Sequence, residues 1–117
     1  PKSMYEKLKN RWAREKLEKR ARSAGFKRQL LENGIPVFKA YNVQSVYLFG
    51  SVAVGSSRRA SDIDLYVSGL AEDQYWNFRH DLEEAVKLPI DLYTDGDDAG
   101  FIKKIMARGE KIYGIQR

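Results

Sequence analysis

Three aspartates occur in this chain at spacings that suit metal-assisted chemistry. Asp62 and Asp64 lie two positions apart in residues 62–67, where strict alternation predicts a β-strand, so both carboxylates point to one face. Asp91 is the second residue of another strand-like run, residues 90–93, and reaches the same face if the two strands are neighbours. Because neither run contains a lysine or arginine, we expect a divalent cation to neutralise the acids, and oxygen-only ligands favour Mg²⁺.

A sharp turn precedes these aspartates. Residues 46–49 form a short apolar run of strand-forming residues, which ends abruptly at Gly50 and Ser51. Glycine lets the backbone turn and lets a ligand approach. A serine that begins a helix can cap it, and its hydroxyl and the nearby amides then face an anion. An anion-binding turn beside a carboxylate-held cation is typical of phosphoryl or nucleotidyl transfer.

Each of these motifs alone also has a plainer interpretation. The Gly-Ser turn fits an ordinary strand-to-helix connection, and the two aspartates of the first strand fit a solvated strand face. The spacing of Gly50 and Gly55 is superficially that of a P-loop, but Ser56 stands where that motif needs lysine, which excludes it. The hypothesis of nucleotidyl transfer therefore depends on the motifs occurring together.

Strands and helices alternate in the part of the chain that carries the motifs. Apolar residues at helical spacing predict a helix over residues 71–86. Asp97 and Asp98 are expected to cap a further helix, which runs to about Arg108 and stops at the following glycine. Residues 111–113 add a short last strand. This alternation indicates an α/β layered fold.

The chain upstream of the motifs is predicted to be helical. Good helix formers predict a helix from about Met4 to Glu32. Asn33 and Gly34 form a stop signal, and Pro36 suits the first turn of a new helix that reaches about residue 41, with the following asparagine as its C-terminal cap.

Charge is distributed unevenly along the sequence. Residues 1–34 hold 11 Lys+Arg and 4 Asp+Glu, a net charge of +7, whereas residues 35–117 hold 10 Lys+Arg and 12 Asp+Glu, a net charge of −2. A basic arm is therefore joined to a mildly acidic body. Such an arm suits contact with nucleic acid, with an acidic protein partner or with solvent alone.

Composition limits the function classes. The 117 residues correspond to one domain, and 43% hydrophobic with 32% charged residues predict a globular chain. The absence of cysteine excludes disulfides, thiolate metal sites and cysteine nucleophiles, and it fits a cytoplasmic protein. A single histidine, His80, excludes multi-histidine metal sites and is interpreted as structural. We expect neither a membrane helix nor a signal peptide, because no apolar run is long enough.

Taken together, the motifs resemble the polymerase-β-like nucleotidyltransferase superfamily and, within it, the minimal nucleotidyltransferase branch. The matching segments are YLFGS at 47–51, Gly55, SDIDL at 61–65, IDL at 90–92 and GEKIY at 109–113. The resemblance covers about residues 35–114 and implies an α/β (α+β) fold, with a mixed sheet of three to five strands flanked by helices. It divides the chain into a basic helical extension at 1–34 and a nucleotidyltransferase domain at 35–117.

The resemblance also implies a role for each matching residue. Gly50 and Ser51 would hold the triphosphate of ATP or another nucleoside triphosphate. Asp62 and Asp64 would hold two Mg²⁺ ions. Asp91 would help to hold the catalytic metal and could accept the proton of the attacking hydroxyl. The implied reaction is an in-line attack on the α-phosphate, in which pyrophosphate leaves.

One departure from the family pattern concerns the phosphates. Many members carry an arginine just before the second glycine, where this chain has Val54 before Gly55. The sequence therefore lacks that contact, and Arg58 or Arg59 in the following loop is the expected substitute.

The minimal branch includes small antitoxins that are paired with a helical toxin ribonuclease, and some members transfer AMP to a tyrosine of the toxin. The resemblance thus implies the antitoxin of a HEPN/MNT-type pair, with a helical toxin as partner and acceptor. Independently of the resemblance, the apolar face of the N-terminal helix is expected to pack on the body or on a second copy, which would give a homo-oligomer. Two alternatives stay open. The chain could be a non-catalytic antitoxin that acts by binding alone, or a nucleic-acid-binding module that uses the basic arm.

Overall fold

The computed structural model describes residues 3–114, so residues 1–2 of the predicted extension and 115–117 of the predicted domain lie outside it. In chain order the elements are α1 Met4–Ala40, β1 Ser45–Phe49, α2 Gly50–Val54, β2 Ile63–Ser68, a 3₁₀ turn Glu72–Gln74, α3 Tyr75–Val86, β3 Ile90–Thr94, α4 Ala99–Arg108 and β4 Glu110–Gly114. The strands and helices predicted for the body are confirmed, with ends that differ by a few residues.

One mixed sheet of four strands organises the body. Its order is β3-β2-β1-β4, with β1 antiparallel to both β2 and β4, and β2 parallel to β3. The parallel pair needs a crossover, which the 3₁₀ turn and α3 supply. Asp64 of β2 lies directly opposite Asp91 of β3. The predicted mixed sheet of three to five strands is therefore confirmed, and the strands that carry these two aspartates are neighbours.

One face of this sheet is covered by α1 and α3. Alternate strand residues point to it and are buried, namely Val46, Leu48, Ile63, Leu65, Val67, Ile90 and Leu92. Their partners on the two helices are Leu30, Phe38, Phe78, Leu82 and Val86. Burial of this apolar surface is the main force that stabilises the fold. The remaining strand positions, Asp64 and Asp91 among them, point to the opposite face.

The first helix is longer than predicted. α1 continues past Asn33 and Gly34 with Pro36 inside it, so the predicted stop and second helix are wrong. Gly34 is buried, and a Cβ there would lie 3.3 Å from Cδ1 of Leu30 and 3.4 Å from Cδ1 of Leu82 in α3. The glycine therefore allows two helices to pack closely. The helix continues through Pro36 although this residue has no amide hydrogen to donate to the preceding turn.

The end of α1 has the geometry of a glycine-type cap built on asparagine. Asn42 adopts a φ of 53° in the left-handed region. Its amide donates to the carbonyl of Lys39 at 3.1 Å, and the amide of Val43 donates to the carbonyl of Phe38 at 3.3 Å. These two bonds form a Schellman motif, which confirms the predicted cap at Asn42.

α1 also sets the long dimension of the molecule. Its 37 residues correspond to about 55 Å of helix, and the molecule measures 62 × 30 × 25 Å. Leu30 and Phe38 in its second half are fully buried, whereas Tyr5 and Trp12 in its first half are 67% and 58% exposed. The first half, Met4 to Arg20, projects beyond the body. It is only part of the basic segment 1–34, and the name arm is restricted to it from here on. Of the helices described, none is apolar over a stretch long enough to cross a bilayer.

Candidate active site

Gly50 and Asp64 are in contact at one end of the sheet. Phe49, the last residue of β1, pairs with Asp64 of β2, and this register brings the following turn against the aspartate. Gly50 has a φ of 73°, and a Cβ placed on it would overlap the Asp64 carboxylate. Both the backbone conformation and the close approach require glycine. The predicted turn and the predicted carboxylate therefore belong to one site.

The helix that follows this turn is capped differently from the prediction. α2 begins at Gly50, and its N-terminal cap is Phe49, which makes no side-chain hydrogen bond. The expectation that Ser51 caps this helix is therefore wrong, because Ser51 lies inside the first turn. The Ser51 carbonyl instead accepts hydrogen bonds from the amide of Ser56 at 2.9 Å and from Oγ of Ser23 in α1 at 3.4 Å.

The loop between α2 and β2 is fastened to α1. Ser57 is fully buried, and its hydroxyl accepts a hydrogen bond of 2.7 Å from Oγ of Ser23. Arg22 donates to the Ser57 carbonyl at 2.9 Å. Arg58 and Arg59, the two predicted phosphate contacts, follow directly and are exposed. The loop is therefore fixed at Ser57, and the side chains of Arg58 and Arg59 are exposed to solvent.

Asp64 and Asp91 form a close pair of acids. Both residues are half-buried, and their carboxyl groups lie within hydrogen-bonding reach of each other. Burial and then the negative charge of Asp91 raise the pKa of Asp64 to about 6. The hydroxyl of Tyr93 donates to Oδ2 of Asp91 at 3.1 Å, and this bond raises the pKa of Tyr93. A tyrosine thus orients the carboxylate of Asp91.

Asp62 lies at the margin of this pair. It stands one residue before β2 and is exposed, and its charge adds to the rise in the pKa of Asp64. Among residues 3–114, no group of three or more acidic, histidine or cysteine side chains is arranged to hold a metal ion. The structure therefore brings Asp64 and Asp91 together and leaves Asp62 at the rim.

The acid pair suits Mg²⁺ when a substrate supplies further ligands. Its donors are all oxygen, and burial together with the charge of Asp91 makes the ionised form of Asp64 unfavourable, which raises its pKa to about 6. A divalent cation relieves that repulsion as a proton does. Mg²⁺ is usually held by one or two carboxylates together with substrate phosphates. The residues present fit that mode of binding.

A groove on the other side of Gly50 was missed by the sequence analysis. It encloses about 270 Å³ between α2 and α4, and its apolar lining consists of Phe49, Ala53, Phe101 and Ile105. Gly50, Val54, Lys104 and Arg108 complete it. The sequence signal was the four-residue spacing of Lys104 and Arg108, which places both on one side of a helix.

Three acidic residues after β3 serve the loop and the next helix. Each carboxylate of Asp95, Asp97 and Asp98 accepts a hydrogen bond from a backbone amide. The donors are, in that order, the amides of Gly69, Thr94 and Phe101, at 3.0, 2.8 and 2.9 Å. Asp98 is the N-terminal cap of α4. The predicted cap is confirmed for Asp98, whereas Asp97 lies in the turn before α4 and accepts from the amide of Thr94 instead.

The family model described as polymerase beta, nucleotidyltransferase matches residues 24–117. The chain therefore belongs to the polymerase-β nucleotidyltransferase family. The match begins within α1, just after the arm. A search of curated protein sequences finds no significant match.

Similar solved structures are complexes of a toxin with an antitoxin. A toxin–antitoxin complex with AMP-PNP is similar with a TM-score of 0.64 and 25% identity, over 74% of each chain. A complex named MntA-HepT has a TM-score of 0.56 and 25% identity, over 75% of this chain and 74% of that one. A tri-AMPylated Shewanella oneidensis HEPN toxin with its MNT antitoxin has a TM-score of 0.55 and 25% identity, over 75% and 73%. The resemblance to the minimal nucleotidyltransferase branch, and its fold, are confirmed.

Proposed function

We propose that this chain transfers AMP from ATP to a hydroxyl group of a helical partner protein, as the antitoxin of a HEPN/MNT-type pair in the cytoplasm. The observation that carries the proposal is the acid pair Asp64 and Asp91, pressed against the Gly50 turn. Family membership supplies the class of reaction. The relatives solved with AMP-PNP and with a tri-AMPylated toxin support the choice of nucleotide and acceptor.

In the proposed reaction the acceptor oxygen attacks the α-phosphorus, the bond from that phosphorus to the oxygen bridging to the β-phosphate breaks, and pyrophosphate leaves. Gly50 and Ser51 hold the triphosphate. Asp91 accepts the proton of the attacking hydroxyl, and the Tyr93 hydroxyl holds its carboxylate in position. At pH 7 Asp64 is mostly ionised, because its pKa is about 6.

Mg²⁺ is the cofactor we propose for this site. Asp64 and Asp91 would hold it, with Asp62 at the rim as a further oxygen ligand for a second ion. When bound, Mg²⁺ supplies positive charge that neutralises the phosphates and polarises them towards attack.

Label transfer tests the proposed reaction. The purified chain is incubated with ATP labelled at the α-phosphate, Mg²⁺ and the protein encoded by the adjacent gene. We expect label on that protein with wild type, none with Asp64→Asn, and none when the label is moved to the γ-phosphate. Label on the partner that is equal for wild type and Asp64→Asn would contradict the proposal.

Neutralisation by contact alone is the second candidate function. It is favoured by the absence, within the described residues, of a group of three acids arranged for a metal ion. Growth of cells that co-express the toxin separates the two functions. Under nucleotidyl transfer the Asp64→Asn variant fails to rescue growth, whereas under contact alone it rescues growth as wild type does.

We assign the arm to the protein partner. A groove of about 390 Å³ lies where the arm meets the turn after α2, and its lining includes Trp12, Lys16, Lys19, Arg20, Val54 and Gly55. Trp12 and Val54 are 58% and 76% exposed. The groove thus combines an exposed aromatic residue with three cations and one acid, Glu15, which is paired with Arg11. This excess of positive charge suits an acidic helical surface, because aromatic anchors dominate binding energy and opposite charges steer the encounter.

Two charge reversals on the arm test this assignment. Lys16→Glu changes the groove, and Arg14→Glu is the matched control, because residues two apart lie on opposite sides of a helix. We expect Lys16→Glu alone to weaken binding of the adjacent gene's product. Loss of salt-dependent RNA binding would favour the nucleic-acid alternative. A changed oligomeric state by ultracentrifugation would assign the arm to a second copy.

A further inference from the structure

We propose that Lys104 and Arg108 of α4 bind the β- and γ-phosphates of the nucleoside triphosphate and the pyrophosphate that leaves. They would take the place of the arginine that the sequence lacks at position 54. The inference rests on the proposed nucleotidyl transfer and names further phosphate-binding residues for the same site.

The position of the groove carries the first part of the argument. Gly50 contacts the Asp64 carboxylate on one side and lines the groove of Lys104 and Arg108 on the other. A nucleotide whose α-phosphate lies at the acid pair therefore has a short path for its polyphosphate tail, past a residue without a side chain. Val54 lines the same groove, so the two cations face the position at which an arginine is missing.

The placement of α4 is fixed by aromatic packing. The ring of Phe101 in α4 lies 5.2 Å from the ring of Tyr93 and 6.0 Å from that of Phe49, measured between centroids. Tyr93 in turn donates to Asp91. One cluster thus orients the carboxylate and holds the cation-bearing helix beside the turn, so both sides of the site share a single rigid support.

The charges of the two side chains are available to a ligand. Neither Lys104 nor Arg108 forms an ion pair with another residue of the described chain, and α4 contains no acidic residue. Arg108 lies in the last turn of α4, where a cation is favoured by the helix dipole. Lys104 stands one turn earlier, so the helix dipole favours its charge less. Phosphate binding accounts for both cations.

Arg58 and Arg59 are less suited to this role. Both are exposed on the loop that Ser57 ties to α1, and neither lines the groove that contains Gly50. The proposal therefore moves the expected phosphate contact from that loop to α4.

Calorimetric titration of the full chain with Mg²⁺ and ATP tests the proposal. We expect Lys104→Ala and Arg108→Ala each to weaken ATP binding about tenfold, the size of one charge-assisted hydrogen bond. Lys103→Ala is the matched control, because Lys103 is exposed on the same helix and does not line the groove. Unchanged affinity in the double variant Lys104→Ala/Arg108→Ala would overturn the proposal.

A series of nucleotides locates the contact along the substrate. For the double variant, the loss of affinity should be largest for ATP, smaller for ADP and near zero for AMP. Inorganic tripolyphosphate should compete with ATP on wild type and compete poorly on the double variant. An equal loss for AMP and ATP would place the two side chains at the base or ribose and overturn the proposal. Because both side chains are exposed, thermal melts should show that the variants stay folded.

Label transfer run beside these titrations separates this inference from the proposed function. Wild type that binds ATP with the expected dependence on phosphate number but labels no partner would contradict the transfer and support the phosphate contact. Equal transfer of AMP by wild type and by the double variant would overturn the phosphate contact alone. Wild type that binds no ATP would overturn both.

Discussion

Asp64 and Leu65 are neighbours in β2, yet they belong to two faces of the sheet that differ in almost every property. Leu65 is fully buried among the side chains of the face that α1 and α3 cover. Asp64 is half-buried on the opposite face, where Asp91 and Tyr93 lie close by. A strand alternates its side chains, so a single residue step separates a position that holds the fold from one that can bind charge.

The difference shows where this small protein places its unfavourable interactions. The covered face is apolar throughout and contributes burial. On the opposite face, burial and then the negative charge of Asp91 raise the pKa of Asp64 to about 6, so the charged form of Asp64 opposes folding. Such a destabilising charge is expected at a site that binds a cation, because the bound cation would then neutralise it.

The largest effect is expected from Asp64→Asn. The substitution removes the charge that would hold Mg²⁺, which contributes several kcal/mol to the reaction, so transfer should fall about a thousandfold or more. Stability should stay equal or rise, because no charge is then buried at this position and the repulsion with Asp91 disappears. Initial rates of label transfer, together with a thermal melt, measure both. A variant that is inactive because it is unfolded would contradict the division between the two faces.

Leu65→Ala, at the neighbouring position, should lower stability and leave ATP binding unchanged, which is the opposite of the effect of Asp64→Asn. Truncation of a fully buried leucine leaves a cavity in the covered face and should lower the free energy of unfolding by about 2–5 kcal/mol. Denaturant unfolding measures this loss. At a temperature where the variant is folded, ATP binding should be close to that of wild type. Weakened ATP binding by a folded variant would show that the two faces are coupled.

The pH dependence of stability reports the acid pair directly. Asp64 binds its proton more tightly in the folded protein than in the unfolded chain, because its pKa is raised from 3.8 to about 6. Its contribution to stability is therefore fully present below about pH 4 and is lost as pH rises through 6. Asp64 is half-exposed, so solvent screening reduces the difference to about 1 kcal/mol.

Wild type and Asp64→Asn should be melted in parallel at several pH values between 4 and 7. The wild-type melting temperature should fall as Asp64 ionises with rising pH, and this fall should be absent in the Asp64→Asn variant. Equal pH profiles for both proteins would mean that Asp64 titrates as an ordinary surface acid.

Tyr93→Phe should have the smallest effect. The substitution keeps the ring in contact with Phe49 and Phe101 and removes the hydroxyl that donates to Asp91. Because Tyr93 is only partly buried, we expect stability to change by only about 0.5 kcal/mol. Transfer should fall about threefold to tenfold, through a lower kcat, because a carboxylate loses its orienting partner. A fall in stability of several kcal/mol would assign Tyr93 to the fold rather than to the site.

The sequence predicts the body well because strand alternation and helix caps depend on residues that are close together in the sequence. The period of two in residues 62–67 placed Asp64 and Leu65 on opposite faces, and parallel pairing with β3 then placed Asp91 beside Asp64. Asn42 and Asp98 were predicted correctly as caps. Asn42 tolerates the left-handed conformation of a C-terminal cap, and the carboxylate of Asp98 accepts from the amide of Phe101. Asp97, also expected as a cap, lies in the preceding turn.

The errors have tertiary causes. Gly34 suggested a helix stop, but its place in α1 is decided by Leu82, a residue of another helix that local propensity cannot include. Ser51 suggested a cap, but α2 starts at Gly50 with Phe49 as its N-terminal cap, two residues earlier than a Ser51 cap would require. The four-residue spacing of Lys104 and Arg108 places both on one side of a helix, but it does not show what that side faces, because the groove exists only where α4 packs beside α2.

The contact between Gly50 and Asp64 bears on how this sequence can drift. A copy that gave up the reaction could exchange Asp64 for a small neutral residue, and the steric reason for glycine at position 50 would then disappear. The positive φ of 73° would remain and would still favour glycine. We therefore expect a descendant to lose its aspartate before its glycine. Among related genes, glycine without the aspartate should mark the copies that keep the fold without the reaction.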